Sequence, residues 1–111
     1  MRIGFDARTL RDDYPGIGRY AANLLAALQH ELAGDRLVIF YDPEVDHTRY
    51  DLAPLAVQSG VETVPFACDL RGLAQQRELP RLLRTHGIDV FHSPYCLTGW
   101  FSLPCPAVLS L

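Results

Sequence analysis

The chain has 111 residues, of which 49% are hydrophobic, and a formal net charge of -3. This length is enough for one domain with an ordinary apolar core, and the mild acidity excludes the clustered positive charge that nucleic-acid binding needs. All ten Lys and Arg residues are arginines, which excludes a P-loop lysine, Schiff-base chemistry and the lysine of receiver domains.

Cysteine usage and the start of the chain indicate a cytoplasmic protein. Cys68, Cys96 and Cys105 are odd in number and lack C-x-x-C spacing, so neither a zinc site nor a complete disulfide framework is predicted. Met1 leads directly into a strand pattern, and no apolar run approaches 18 residues. We therefore expect no signal peptide, no membrane span and a reducing compartment.

The first half of the chain alternates strand and helix patterns. A strand is expected over residues 2–6, and an apolar stripe predicts a helix over 16–33, closed by Gly34. The continuous apolar run Leu37–Tyr41 is typical of a parallel strand buried on both faces. Residues 43–60 are mixed and polar, and they predict a variable loop with a short helix around 52–58.

The second half continues the alternation. Val61–Phe66 predicts a third strand, and Leu73–His86 predicts a helix that Gly87 ends. Pro80 must either kink this helix or begin a second helical piece. Ile88–His92 and Ala107–Leu111 predict the fourth and fifth strands. This order predicts a Rossmann-like, doubly wound parallel sheet with strand order 3-2-1-4-5.

The last predicted strand has no helix after it. One face of the sheet would then be uncovered, so the chain is expected to be a truncated domain that self-associates through apolar sheet surface or an open edge. The alternative is a natural C-terminus.

A glycine-containing turn, Gly16-Ile17-Gly18-Arg19-Tyr20, precedes the first predicted helix. Backbone N–H groups at a helix start lack intrahelical partners and sit at the positive end of the helix dipole, so they can bind phosphate or diphosphate. Arg19 is an unfavourable cation at that end, which suggests an anionic partner. The alternative is that the glycines only turn the chain and that Arg19 is a solvated residue.

Other polar side chains follow the strands at the edge where doubly wound sheets bind ligands. Asp6 and Arg8 follow strand one and are expected to form an ion pair that orders the long loop. His92, at the end of strand four, is either a ligand contact or a core histidine, and Tyr95 either stacks on a ligand or packs on the surface. Four further residues favour an acidic solvated loop over a metal cluster; they are Asp42, Glu44, Asp46 and His47.

Several segments resemble the N-terminal domain of the group 1 glycosyltransferases (family 4), the retaining family with the two-domain GT-B architecture. The similar segments, in order, are Arg2–Arg8, Gly16–Tyr20, Leu79–Leu83 and Asp89–Pro94. The resemblance covers nearly the whole chain and is weakest over residues 43–60. It implies that residues 1–111 are a partial acceptor-side domain, and that the C-terminal domain that binds most of the nucleotide-sugar is absent.

The resemblance also implies a function for the parent enzyme: transfer of a sugar, with retention, from a nucleotide-sugar donor to a hydroxyl of a sugar, lipid or polysaccharide acceptor. The implied donor-diphosphate residues are Gly16, Gly18 and Arg19, and the implied acceptor or cleft residues are Arg8, His92, Ser93 and Tyr95. No metal or other cofactor is expected. The family's histidine-aspartate step would follow Leu111, so the fragment carries no catalytic residue and is expected to be inactive. Peripheral membrane contact would be confined to the full enzyme.

Two alternatives from other classes remain. Gly16-x-Gly18-x-x-Ala21 formally satisfies the dinucleotide fingerprint of NAD(P)- or flavin-dependent oxidoreductases, with Asp42 as the ribose-binding acid. That fingerprint places its first glycine directly after strand one, whereas nine residues, Ala7–Pro15, separate Asp6 from Gly16. The other alternative is a non-catalytic α/β interaction module, for which no residue gives positive support.

Overall fold

The structure, a computed structural model, describes residues 1–10, 15–44, 57–67, 74–94 and 103–109. Within these ranges it contains a five-stranded sheet and two helices. In chain order the elements are β1 (Arg2–Asp6), α1 (Pro15–Leu28), β2 (Arg36–Tyr41), β3 (Val61–Pro65), α2 (Gln75–Thr85), β4 (Val90–Ser93) and β5 (Ala107–Leu109).

All neighbouring strands of the sheet are parallel, and their order is β3-β2-β1-β4-β5. The predicted order and direction are therefore confirmed. In the central pairs, Phe5 of β1 lies opposite Ile39 of β2 and His92 of β4. The chain passes from β1 to β2 on one side and later returns to β4 on the other, so the topological switch point lies between β1 and β4.

The two helices cover opposite faces of the sheet. Ala21 and Leu25 of α1 are fully buried in one apolar cluster with Phe5 and other side chains of β1 and β2. Leu79 and Leu83 of α2 are fully buried in a second cluster, which includes alternate residues of β2. Successive strand residues point to opposite faces, so β2 serves both clusters and is buried on both sides, as its uninterrupted apolar run predicts.

Gly4 permits the close packing of the face that α2 covers. A methyl group at this position would lie 3.0 Å from Cγ2 of Ile88, 3.2 Å from Cε2 of Phe40 and 3.2 Å from Cδ1 of Phe91. These distances are shorter than ordinary van der Waals contact, so only a residue without a side chain fits there unless its neighbours move.

Helix α1 begins with Pro15 and ends at Leu28, five residues before the predicted end. Proline is well suited to the first helical position because its missing N–H needs no acceptor there. At the other end, the N–H groups of His30 and Glu31 donate three residues back, and Ala33 has a φ of 44°. The backbone therefore leaves the helix while Leu32 is still buried, which is why the apolar spacing suggested a longer helix.

Helix α2 is one continuous helix that contains Pro80 at its sixth position. The predicted end at Gly87 is confirmed by a Schellman motif: Gly87 has a φ of 61°, its N–H donates to the carbonyl of Arg84, and the N–H of Ile88 donates to the carbonyl of Leu83. Ile88 therefore belongs to the helix cap, and β4 begins two residues later than predicted.

Three predictions lie wholly or partly outside the described residues: the short helix around 52–58, the helical position of Leu73, and the last two residues of the predicted fifth strand. Within the described part of the chain, no helix is long and apolar enough to cross a membrane.

Candidate ligand-binding edge of the sheet

The carboxyl ends of β1 and β4 lie side by side at the switch point. Phe5 pairs with His92, so Asp6 and Ser93 follow at the edge. Open α/β sheets bind their ligands in the crevice outside this edge, at the switch point. The sheet thus brings three of the predicted site residues, Arg8, His92 and Ser93, to one region of the molecule.

The first turn of α1 lies on the side of the same edge, because Ala21, one turn further along, shares an apolar cluster with Ala7 and Leu10, which follow β1. Pro15 has no N–H, so the described donors without an intrahelical acceptor are those of Gly16 and Ile17. A methyl group at Gly16 would meet no atom within 4 Å, and the residue is exposed. Arg19 is also exposed, whereas Gly18 is buried. Among the described residues beyond its own helix turn, no steric contact requires glycine at position 16, and its φ is not positive.

Arg8 is buried in an ion pair with Asp6. Only 2% of each side chain is exposed; Nη2 of Arg8 lies 2.6 Å from Oδ2 of Asp6, and Nε lies 2.9 Å from Oδ1. The backbone N–H of Arg8 also donates to Oδ1 at 3.1 Å. This two-pronged arrangement is the ion pair expected from the sequence, and it places the guanidinium, predicted as a cleft contact, inside the protein.

Two side chains from other elements also contact Arg8. Oε1 of Gln75, the first residue of α2, accepts a hydrogen bond of 2.5 Å from Nη2. The guanidinium carbon lies 4.3 Å from the centroid of the Phe66 ring, just after β3. Sequence reasoning missed Gln75. The available signal was a polar residue in line with Leu79 and Leu83 at four-residue spacing, on the stripe that faces the core.

The loop between β1 and α1 contains an unpartnered hydroxyl. Thr9 is fully buried, and within the described part of the chain its Oγ1 has no hydrogen-bond partner. Residues 7–10 are all buried. Their backbone is held in part by Ala7, whose N–H donates to the carbonyl of Phe40, and by Leu10, whose N–H donates to the carbonyl of Ala7. The backbone of residues 7–10 is therefore partly fixed where it leaves the carboxyl end of β1.

His92 lies on the sheet face that α1 covers. Its ring stacks on Phe5, with the ring centroids 5.3 Å apart and the planes 17° from parallel. Burial lowers the pKa of the imidazole below its ordinary value, because the charged form loses hydration. His92 is thus held as a neutral, oriented ring at the edge. Ser93 is fully buried, and Tyr95 lies outside the described residues.

No family model, curated protein or solved structure matches this chain.

The connection between β1 and α1 disfavours a dinucleotide site. β1 ends at Asp6 and α1 begins at Pro15, so residues 7–14 separate them. The dinucleotide fingerprint instead requires a tight turn that passes directly from the first strand into the helix. Asp42 would be the ribose-binding acid of such a site. Its carboxylate accepts a hydrogen bond of 2.9 Å from the N–H of Glu44, as in an Asx turn.

The described residues contain no cluster of three or more His, Cys, Asp or Glu side chains suited to a metal ion. Asp46 and His47 lie outside those residues. Burial and the nearby carboxylate of Asp89 raise the pKa of the Cys105 thiol, so this cysteine is held in the thiol form rather than as a metal-binding thiolate.

Proposed function

We propose that the chain is the acceptor-side, Rossmann-like part of a retaining glycosyltransferase of GT-B architecture, which transfers a sugar from a nucleotide-sugar to an acceptor hydroxyl. The observation that carries the proposal is the open first turn of α1 at the carboxyl edge of the sheet. There Gly16 is exposed, and a Cβ at this position would meet no described atom beyond its own helix turn within 4 Å, which favours the approach of an anion to the backbone amides. The order of motifs along the chain supports the same family.

The chemistry of the proposed reaction suits this edge. As the sugar leaves with retention, negative charge develops on the departing diphosphate. Preorganised N–H dipoles aimed at that charge stabilise the transition state without a protein nucleophile. The exposed Arg19 is close in sequence to these amides and adds positive charge on the side open to solvent. In this account Gly16 and Gly18 let the helix start approach the diphosphate closely.

The acceptor is assigned to the neighbouring end of β4. His92, held neutral by burial and oriented by Phe5, can accept or donate a hydrogen bond to a hydroxyl without offering a charge. Tyr95 follows three residues after His92 in the sequence. The acceptor is a sugar, lipid or polysaccharide hydroxyl, and a second, nucleotide-sugar-binding domain of the complete enzyme supplies the remaining donor contacts and the catalytic residues.

The test is Gly16→Val in the full-length protein, with Ala26→Val as the matched control. Both variants place valine at an exposed position of α1. Ala26, however, lies more than two turns from the helix start. The valine at position 16 should push the backbone from the phosphates, and the loss of one such contact costs about 2–4 kcal/mol in transition-state stabilisation. We therefore expect kcat/KM for nucleotide-sugar turnover to fall roughly 30- to 1,000-fold, with little change in melting temperature.

Ala26→Val should retain the wild-type kcat/KM. Unchanged turnover in Gly16→Val would return the glycines to a role in chain geometry alone and would remove the main support for the proposal. The absence of transfer by the full-length wild-type protein with any nucleotide-sugar would contradict the assigned activity itself.

A further inference from the structure

Gln75 is a buried polar residue on the core-facing stripe of α2. It is 2% exposed and precedes Leu79 and Leu83, both fully buried, at four-residue intervals. An apolar side chain would satisfy this position without any hydrogen bond, whereas a buried amide is costly unless it is paired. The hydrogen bond from Arg8 to Oε1 of Gln75, at 2.5 Å, supplies that pairing.

Arg8 belongs to the loop that leads to α1, yet its side chain extends to the face that α2 covers. Its contacts with Phe66 and Gln75 come from the ends of β3 and α2. Helix α1 packs on the opposite face, against Phe5 and its neighbours. The segment that carries Thr9 toward α1 is therefore anchored through the carboxyl edge to the helix on the far side of the sheet.

We propose that Gln75 is a positioning residue for the ligand-binding edge: acting through Arg8, it fixes residues 7–10, which lead from β1 toward α1. Asp6 orients one side of the guanidinium, through Oδ1 and Oδ2. Gln75 binds Nη2 from a separate element and so ties this segment, together with its own ion pair, to α2. This role deepens the proposed function and, in its effect on ligand affinity, rests on it.

The test compares wild type with Gln75→Met and with Arg81→Met. Methionine fills a volume close to that of glutamine and keeps helix propensity, but it gives Arg8 no oxygen acceptor. The Asp6–Arg8 ion pair is retained in this variant. Arg81→Met is the control in the same helix, because the Arg81 side chain is 75% exposed and lies 3.9 Å from a carboxylate oxygen of Glu78, at the outer limit of an ion pair.

Two measurements are made on each protein beside thermal melting. The first is hydrogen exchange of the backbone amides of residues 7–10, and the second is the Kd of inorganic diphosphate. In Gln75→Met we expect exchange of those amides to be about tenfold faster, because the charge-assisted hydrogen bond between Arg8 and Gln75 no longer ties residues 7–10 to α2. We expect the Kd to rise roughly three- to tenfold, with the melting temperature within a few degrees of the wild-type value. Arg81→Met should match wild type in all three.

The exchange measurement does not depend on the proposed function. Wild-type exchange rates at residues 7–10 in Gln75→Met would overturn the positioning role, whatever the diphosphate result. Faster exchange with an unchanged Kd would show that Gln75 orders the loop without serving the ligand, and would also overturn it. If wild type itself does not bind diphosphate, the proposed anion site fails, and the exchange rates alone decide whether Gln75 holds the loop.

Discussion

Gly4 offers a sharp test of the packing between β1 and the elements on the α2 face. In Gly4→Ala, the new methyl group would meet side chains of three separate residues, Ile88, Phe40 and Phe91, at 3.0–3.2 Å. The side chains of Phe40 and Phe91 are fully buried and Ile88 is 6% exposed, so none can turn into solvent. Relief therefore requires a shift of packed core residues.

The size of the effect follows from two opposing contributions. Overpacking by one methyl group in a close-packed core costs about 1–3 kcal/mol. Replacement of glycine by alanine returns about 0.5–1 kcal/mol, because the unfolded chain loses conformational freedom. We therefore expect Gly4→Ala to lower the free energy of unfolding by about 1–2 kcal/mol. For a domain of this size that lowers the melting temperature by roughly 4–9 °C.

Gly16→Ala is the matched control, because the same methyl group there meets nothing within 4 Å. Alanine is the better helix former, by up to about 1 kcal/mol, so this variant should melt at or slightly above the wild-type temperature. Thermal unfolding followed by circular dichroism measures both. Equal melting temperatures for the two variants, or a Gly4→Ala protein as stable as wild type, would refute the account of how β1 packs.

Three further predictions concern the buried ion pair, pH and association. Arg8→Met leaves the Asp6 carboxylate buried and unpaired, so it should lower the free energy of unfolding by about 3–5 kcal/mol in urea titrations, and adding Asp6→Asn should recover most of the loss; no recovery would contradict the pairing. Burial lowers the pKa of His92 in the folded state below the unfolded value of about 6.5. The contribution of His92 to the free energy of unfolding is therefore fully present above that pH and is lost as the pH falls below it. His92→Gln should flatten this dependence in melts between pH 7.5 and 5, and an equally steep profile would refute it. Val108 on β5 is 49% exposed, and we expect self-association at high concentration in sedimentation experiments, weakened by Val108→Lys; a strictly monomeric wild type would count against it.

The strand order could be predicted from the sequence because each strand carries an unambiguous local signal. The Leu37–Tyr41 run is too short and too uniformly apolar for a surface helix, and it is fully buried from Leu37 to Phe40. Gly87 could be assigned as a helix end because the cap needs a positive φ, and the structure gives it 61°. In both cases the local chemistry and the tertiary structure favour the same conformation.

Neither the end of α1 nor the role of Gln75 could be predicted, and one reason accounts for both. Periodicity reports which residues are buried, not which backbone conformation buries them. Leu32 continues the apolar stripe of α1 and is buried, but it lies beyond Leu28, where the helix ends. Likewise, the pattern marks position 75 as facing the core without identifying a partner 67 residues away in the sequence. Such pairings are set by tertiary contacts.

At the start of α1, too, the sequence predicts one part of the site and the structure is needed for the rest. Glycines at a helix start suggest an anion site, but the sequence does not say whether space is left for a ligand. The structure adds that Gly16 is exposed, with no neighbouring atom within 4 Å of a Cβ position, and that the long connection from β1 disfavours a dinucleotide turn. Arg8 shows the reverse: the family resemblance implied a cleft contact, whereas the structure buries the side chain in an ion pair with Asp6.

We propose that the first turn of α1 receives the diphosphate of a nucleotide-sugar. The sharpest test is a residue-resolved amide map of the protein, by NMR, with and without a panel of nucleotide-sugars. We expect at least one of them to shift and protect the amides of Gly16 and Ile17, and Gly16→Val to abolish the response. Binding that leaves these two amides unchanged, or no binding by any member of the panel to the full-length protein, would contradict the proposal.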